Sequence, residues 1–338
     1  MPNRREFIQQ LAVVGILSSF SNNIFSQNNS SNRKIWACLL HLSYNMWVEY
    51  STPSPFRGYR PYLQLSEDLW NDALTKMAQE GINMVVIDLG DAIKYESHPE
   101  IAVNNALTTS QLRSELVKIR RMGIEPIPKL NFAAGHDTWL GEYSKMVSTK
   151  KYYEVCKNLI NEVVDLFDKP RFFHLGMDEE NLEDQKYLNH VVIRQNELWW
   201  HDFYFLVDQV EKQGARTWVW SDYLWHNPEL FFKKMPKSVI QSNWYYGEDF
   251  DIDKTPVKAY IDLEKYGYDQ IPTGSFHSGN DYSILNTVKF CTENIAEPRL
   301  LGFLQTFWAP TIEANRASII KAIELTGNAK KWHEIKSD

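Results

Sequence analysis

Cysteine is scarce in this chain. Its 338 residues include only Cys38, Cys156 and Cys291, which lie far apart and are odd in number. The sequence contains no CxxC and no HExxH pattern. We therefore interpret the three cysteines as buried thiols and predict neither a metal site nor a bound cofactor.

Positive charge is not concentrated anywhere. Lysine and arginine total 36 against 43 aspartate and glutamate residues, which gives a formal net charge of −7. The sequence shows no basic stripe and no basic amphipathic helix. Nucleic acid and membrane surfaces are therefore not expected as partners.

Long hydrophobic runs are also missing. The apolar stretch from Leu11 to Phe20 is too short and too rich in serine to cross a bilayer. It follows a twin-arginine pattern at residues 3–8 and precedes a possible cleavage site after Ser26. Residues 1–26 are thus predicted to be a Tat-type bacterial signal peptide, with a polar leader at 27–34. The expected product is periplasmic or secreted, with no stable membrane insertion after signal cleavage.

The remaining chain has no Pro/Gly/Ser-rich linker and no internal repeat, and β-rich runs alternate with helical patterns. In one such pattern Ser110 is predicted to cap the helix that carries Leu112 and Leu116. The β-rich runs are Ile35–Leu42, Met84–Leu89, Glu125–Asn131, Phe172–Gly176, Thr217–Trp220, Val239–Trp244, Gln270–Ser275 and Leu301–Thr306. Eight such units predict a single-domain (β/α)8 TIM barrel over residues 35–338. A doubly wound open sheet is the alternative, but no glycine-rich loop follows the first strand.

The chain is 14% aromatic, with 12 tryptophans, 17 tyrosines and 17 phenylalanines. This enrichment fits a carbohydrate pocket, although a large core accounts for most of these side chains. The segment from Trp47 to Tyr62 holds several aromatics and three prolines, and we expect it to form a loop over one rim of the barrel.

Three acids directly follow the fourth predicted strand. That strand stops at Gly176, and Asp178, Glu179 and Glu180 come next. In parallel α/β proteins this end of the strands carries the chemistry. Adjacent carboxyls are hard to ionise together, and a protonated carboxyl is the general acid of glycoside cleavage. Only one of the two glutamates can face a pocket, so we expect Glu180→Gln to have only a mild effect on turnover. A solvated acidic turn is the other interpretation.

The other strand ends also collect polar and aromatic residues. They are His41 and Tyr44, Asp88 and Asp91, Asn131 and His136, Trp220 and Asp222, Trp244 and Tyr245, Phe276 and His277, and Trp308 and Glu313. Because these ends share one rim of a barrel, we expect a polar and aromatic cavity there.

The segment His174-Leu175-Gly176-Met177-Asp178-Glu179 resembles the H-x-G-G-D-E signature of family 20 glycoside hydrolases, the β-N-acetylhexosaminidases. Pro128 to His136 is similar to that family's P-E-I-D-x-P-G-H motif with one residue inserted. Four weaker similarities follow the family's order along the chain: Leu89-Gly90-Asp91, Trp220-Ser221-Asp222, Gln241 to Trp244, and Gly302 to Trp308 followed by Glu313.

The resemblance implies an exported glycosidase acting on a terminal β-linked N-acetylhexosamine, with carbohydrate as its partner. Glu179 would be the acid and base, and Asp178 would orient the substrate's acetamido group. The residues implied to bind substrate or support Glu179 are His41, Asp91, His136, Trp220, Asp222, Trp244, Tyr245, Trp308 and Glu313.

Some family positions differ in this chain. Lys129 and Asn131 stand where the family has Glu and Asp, and Met177 replaces a glycine. The family's arginine after the first strand is replaced around Tyr44, and no tyrosine matches the one in the family's seventh strand. Two alternatives therefore remain: a glycosidase for a non-acetamido sugar with Asp222 or Asp91 as second carboxylate, and a catalytically silent carbohydrate-binding barrel.

Overall fold

A computed structural model describes residues 33–53, 57–277 and 279–337. A compact unit begins at Ile35 and is built on eight parallel strands. The strands are β1 Ile35–His41, β2 Met84–Asp88, β3 Glu125–Lys129, β4 Phe172–His174, β5 Arg216–Trp220, β6 Ile240–Ser242, β7 Thr273–Ser275 and β8 Gly302–Thr306.

The strands follow one another around a barrel in chain order. β1 pairs with both β2 and β8, and the remaining pairs run outward from there to β6 on one side and β7 on the other. Isolated parallel bridges at Gln241–Gln270 and Trp244–Thr273 join β6 to β7 and nearly close the barrel. The predicted (β/α)8 fold is therefore confirmed.

Helices fill the connections between the strands. They are α1 Glu67–Gln79, α2 Thr109–Arg121, α3 Lys150–Leu166, α4 Leu182–Gln185, α5 Asn196–Lys212, α6 Tyr223–His226, α7 Pro228–Lys234, α8 Thr255–Lys265, α9 Ser283–Asn294 and α10 Arg316–Ser337. Short 3-10 segments lie at Pro99–Ile101, Thr138–Met146 and Glu313–Asn315. Across the described ranges, none of these helices has both the length and the apolar character needed to cross a membrane.

The start of α2 differs from the prediction that Ser110 caps it. Thr108 is the cap: its side chain accepts from the Gln111 amide, while the Gln111 side chain accepts from the Thr108 amide. This reciprocal pair satisfies two backbone donors that would otherwise lack partners, so the helix begins before Ser110.

Alternation along the strands divides the core into two layers. On β1, Ala37 and Leu39 face the barrel interior, whereas Cys38 and Leu40 pack toward the surrounding helices. The three cysteines are buried and free, which confirms their interpretation as buried thiols. Burial raises the pKa of the Cys38 thiol to about 12, so it stays protonated and unreactive.

The same alternation places a polar layer at the upper end of the barrel interior. Its members are the last residues of the first four strands, namely His41, Asp88, Lys129 and His174. The Lys129 ammonium is fully buried and lies 2.5 Å from the Asp88 carboxylate, with the His41 Nδ1 atom at 3.3 Å. Burial disfavours the charged carboxylate, but Lys129 and His41 outweigh it and lower the pKa of Asp88 to about 2. Lys129 is thus the buried counterion of Asp88.

Candidate active site

The turn after β4 has an unusual backbone. Gly176, Met177 and Glu179 all have positive φ, at 74°, 77° and 54°. A Cβ atom at residue 176 would overlap the Asn131 amide, so only glycine fits there. Met177 and Glu179 are strained, because side chains disfavour this region. The turn is therefore locally strained, and this backbone conformation sets the directions of the Asp178 and Glu179 side chains.

Asn131 holds this turn in place. Its Oδ1 atom accepts hydrogen bonds from the amides of Met177 at 3.2 Å and Ala133 at 3.1 Å. Its Nδ2 atom donates to Oδ1 of Asp178 at 2.8 Å. An aspartate at this position would place a second carboxylate against Asp178, whereas the amide can accept from the turn and donate to Asp178 at once.

Glu179 has two partners. Its Oε2 atom lies 3.1 Å from Nε2 of His136, which is also 3.7 Å from Oδ2 of Asp178. Burial alone would lower the pKa of His136, but the charge of Asp178 and the hydrogen bond to Glu179 raise it to about 9. The Glu179 amide donates to Oδ2 of Asp222 at 2.8 Å. His136 therefore carries a proton beside Glu179 at neutral pH, and Asp222 fixes the backbone beneath it.

Asp222 is buried close to two other carboxylates, Asp178 and Glu179. Its Oδ1 atom has no hydrogen-bond partner. Burial, followed by the nearby charges of Asp178 and Glu179, raises the pKa of Asp222 well above its ordinary value. A neutral Asp222 still accepts from the Glu179 amide, so its role here is to position the turn.

Glu180 points away from Glu179 and into the protein. Its carboxylate accepts from the Arg194 guanidinium at 2.6 Å and from the Ala134 amide at 3.1 Å. The side chains of Arg194 and Glu180 are 0% and 5% exposed, and Arg194 also contacts Asp202. Glu180 is thus part of a buried ion-pair network.

This network predicts that Glu180→Gln lowers stability, a separate property from turnover, on which the effect of this substitution is expected to be mild. The substitution leaves the buried Arg194 with a weakened counterion set and is expected to lower the free energy of unfolding by roughly 3 kcal/mol or more. Urea unfolding measures the change. Glu183→Gln, which affects an exposed pair with Lys186, is the matched control and should change little. Equal stabilities of the two variants would contradict the assignment.

A cavity of about 720 Å³ opens above Asp178 and Glu179. Aromatic side chains form much of its wall, and its volume falls within the range of small-molecule sites. The aromatic lining residues are Tyr44, Trp47, Trp220, Trp244, Tyr246, Phe276, Phe307 and Trp308. The structure thus brings together both predicted catalytic acids and the three predicted tryptophan walls.

Three predicted substrate-binding residues lie away from this cavity lining. Tyr245 turns outward against Phe250 and bonds Lys254, and its neighbour Tyr246 lines the cavity instead. Glu313 is at the surface, paired with Arg316. His41 belongs to the polar layer inside the barrel, where its ring contacts Tyr44 and Trp308 from below. His41 therefore supports two wall residues.

The other predicted residues lie behind the cavity wall. Asp91 is 1% exposed and accepts from Ser43 at 2.5 Å and Asn45 at 2.9 Å. Burial raises the pKa of Asp91 to about 7. His136 bonds the Glu179 side chain, and Asp222 accepts from the Glu179 amide. These placements favour supporting roles over direct contact with a substrate.

The sequence reasoning missed several lining residues, among them Tyr246, Trp47 and Arg57. Tyr246 lines the cavity and accepts a hydrogen bond from Nε1 of Trp308 at 3.0 Å. Trp47 and Arg57 come from the rim segment, where only the aromatic content indicated a role. Parity along a strand does not extend into the irregular segment after β6, which explains the error of one residue at Tyr245.

His136, Asp178 and Glu179 also present a nitrogen and two oxygens within 4.8 Å of one another. These atoms could contact a cation. They are already joined to one another by charge and by hydrogen bonds. The described part of the chain offers no further observation that points to a metal there.

The sequence profile of the glycosyl hydrolase family 20 catalytic domain matches residues 130–314, more than half of the chain. The chain belongs to glycosyl hydrolase family 20. The matched range includes Asn131, His136, Asp178, Glu179 and Asp222. No curated protein sequence matches the chain.

Solved structures of family 20 proteins share the fold. The exo-β-N-acetylglucosaminidase of Vibrio harveyi, solved with N-acetylglucosamine, aligns with a TM-score of 0.58 at 13% identity, covering 90% of this chain and 57% of that one. The chitobiase of Flavobacterium johnsoniae gives 0.58 at 18% identity, covering 90% and 52%. Dispersin B gives 0.59 at 14% identity, covering 88% and 99%. This chain thus spans little more than half the length of the first two.

Proposed function

We propose that this family 20 protein is an exported glycoside hydrolase that removes a terminal β-linked N-acetylhexosamine by substrate-assisted, retaining hydrolysis. One observation carries the proposal: Asp178 and Glu179 lie together on the floor of an aromatic cavity, each held by its own partner, Asn131 and His136. Export rests on the twin-arginine pattern of residues 1–26, which lie outside the described ranges.

Glu179 acts first as the acid. It takes the proton held with His136 and delivers it to the glycosidic oxygen, so that the leaving group departs as an alcohol. Its position supports this role, because its side chain lines the cavity and is 37% exposed, within reach of a substrate. In the second step Glu179 accepts a proton from the attacking water.

Asp178 acts on the acetamido group. As the C1–O bond breaks, the acetamido carbonyl oxygen attacks C1, and positive charge develops on the acetamido nitrogen. A carboxylate fixed by Asn131 can accept the N–H and stabilise that charge. The Tyr246 hydroxyl accepts from Trp308, and Tyr246 lines the same cavity. We infer that this hydroxyl orients the acetamido oxygen for attack.

The carboxylate geometry argues against the non-acetamido alternative. Neither Asp222 nor Asp91 lines the cavity, so neither is placed to attack an anomeric carbon or to activate a water on its far side. Oxygens of Asp178 and Glu179 lie within 4.8 Å of each other. Inverting enzymes separate their carboxyls by roughly 6.5–9.5 Å to admit a water. This spacing favours retention.

The test is hydrolysis of an aryl N-acetyl-β-glucosaminide compared with the matching aryl β-glucoside, with the product anomer followed by proton NMR. Cleavage of the acetamido substrate with the β-anomer formed first is the expected result. Preference for the plain glucoside would support a non-acetamido glycosidase. Binding of N-acetylglucosamine without any hydrolysis would support the silent barrel instead.

A further inference from the structure

The rim segment between β1 and α1 is anchored at both ends. The Asn45 side chain donates to the Arg60 carbonyl at 2.7 Å and accepts from the Arg60 amide at 2.9 Å. Asp91 in turn accepts from the same Asn45 side chain at 2.9 Å. The buried carboxyl of Asp91 thus fixes the base of the segment.

The segment is also closed upon itself near its tip. The Tyr59 amide donates to the Tyr50 carbonyl at 3.0 Å, and the Ser51 hydroxyl donates to the Tyr59 carbonyl at 3.2 Å. A Cβ atom at Gly58 would collide with the Thr52 backbone, so the two arms pack at the closest approach that glycine permits. Arg57 therefore directly precedes a residue at which the backbone is closely packed.

Stacking connects Arg57 to the catalytic acid. The Arg57 guanidinium lies 4.7 Å from the centroid of the Trp47 ring, a cation–π contact. The Trp47 ring in turn meets the His136 ring edge-on at 4.9 Å, and His136 bonds Glu179. Arg57 and Glu179 both line the same cavity. The Trp47 ring thus lies between the Arg57 guanidinium and the His136 imidazole, which bonds Glu179.

Among the residues that the structure describes, Arg57 makes no ion pair. Asp184, another charged lining residue, bonds Asn181 and does not pair with Arg57. A guanidinium over an indole keeps its N–H donors, and their fork matches the planar oxygens of a carboxylate or the oxygens of a sulfate. A fixed cation with no protein counterion is suited to a counterion supplied by the substrate.

We propose that the cavity contains a subsite for an anionic group of the substrate, a sulfate ester or a uronic acid carboxylate, and that Arg57 binds it. The inference rests on the proposed function and narrows its substrate to acidic glycans. Arg57 acts as a specificity residue. Asp91 and Asn45 act as positioning residues, since they hold the segment that carries Trp47 and Arg57.

The test is binding, measured by tryptophan fluorescence, of N-acetylglucosamine 6-sulfate, glucuronic acid and uncharged N-acetylglucosamine. Wild-type protein is expected to bind at least one acidic sugar roughly tenfold or more tightly than the neutral one, the scale of a hydrogen bond to a charged group. Arg57→Met should remove that preference, and Arg57→Lys, which keeps the charge without the fork, should retain part of it. Arg121→Met, at the exposed end of α2, is the matched control and should keep the wild-type ratio.

The two acidic sugars identify the source of the anion, since a sulfate site prefers the first and a carboxylate site the second. Equal affinity for acidic and neutral sugars, no binding of either acidic sugar, or a preference that survives Arg57→Met overturns the inference. Turnover of the neutral aryl N-acetyl-β-glucosaminide reports the proposed function separately. Hydrolysis without a preference for acidic sugars would contradict only the anionic subsite. A preference for acidic sugars without hydrolysis would contradict only the proposed activity.

Discussion

Glu179→Gln is expected to lower kcat by roughly two to four orders of magnitude on substrates with poor leaving groups, the usual scale of general acid catalysis. The amide cannot deliver a proton to the glycosidic oxygen. Substrates with a good leaving group, such as a dinitrophenyl glycoside, need no such proton for the first step and should lose much less. Steady-state kinetics on a series of aryl leaving groups measures this dependence.

Asp184→Asn is the matched control for Glu179→Gln. Asp184 also lines the cavity as a carboxylate, but it contacts neither His136 nor Asp178 in the structure. Its replacement should leave the dependence on the leaving group as in the wild type. If Asp184→Asn reproduced the loss and Glu179→Gln did not, the acid would be assigned to the wrong side of the cavity.

The pH profile provides a second measurement of the same proton. Burial lowers the pKa of His136, but Asp178 and the bond to Glu179 raise it from its ordinary 6.5 to about 9. The pair therefore holds one proton until the pH rises through about 9, and wild-type kcat should fall there. In Glu179→Gln this fall in kcat should occur at a lower pH. The raised pKa also stabilises the fold below pH 6.5, and this contribution is lost as the pH rises through 9.

The barrel architecture could be predicted from the sequence because it depends on two periodicities, that of strands and that of helices. Alternating β-rich runs and helical patterns repeat eight times, and the parallel barrel follows. Strand parity also places His41, Asp88, Lys129 and His174 inside the barrel, once the strand ends are known. Those ends are where the sequence reasoning was least accurate, since β4 stops at His174, two residues before the predicted Gly176.

The cavity was harder to predict from the sequence than the fold, because irregular segments form it. Tyr246 and Arg57 lie where the backbone has no regular period, so no spacing indicated which side chains turn inward. Asp91 and Glu313 are strand-end acids by position, yet hydrogen bonds to Ser43 and an ion pair with Arg316 engage them elsewhere. Lys129 and Asn131 differ from the family motif, but each has a buried partner in Asp88 or Asp178.

Asp178→Asn is expected to lower kcat/KM on the aryl N-acetyl-β-glucosaminide by roughly a hundredfold to a thousandfold, the scale of losing one preorganised electrostatic contact. The variant should fold normally, because an amide oxygen at this position can still accept from Asn131. What it loses is the negative charge that, in the proposed mechanism, faces the acetamido nitrogen as that nitrogen becomes positive. Thermal unfolding is the control for the fold.

The leaving group separates this variant from Glu179→Gln. In the proposed mechanism Asp178 stabilises the cyclised intermediate rather than the departing oxygen, so a good leaving group should not restore the activity of Asp178→Asn, whereas it should restore much of the activity lost in Glu179→Gln. An N-acetyl thiazoline, which mimics the cyclised intermediate, should inhibit the wild type and bind the variant more weakly, because such analogues bind well only where the site is shaped for the intermediate. A covalent sugar on an enzyme carboxylate, trapped with a fluorosugar and located by mass spectrometry, would contradict substrate assistance. Since neither Asp222 nor Asp91 lines the cavity, an adduct on either of those two residues would also require its carboxylate to move during the reaction.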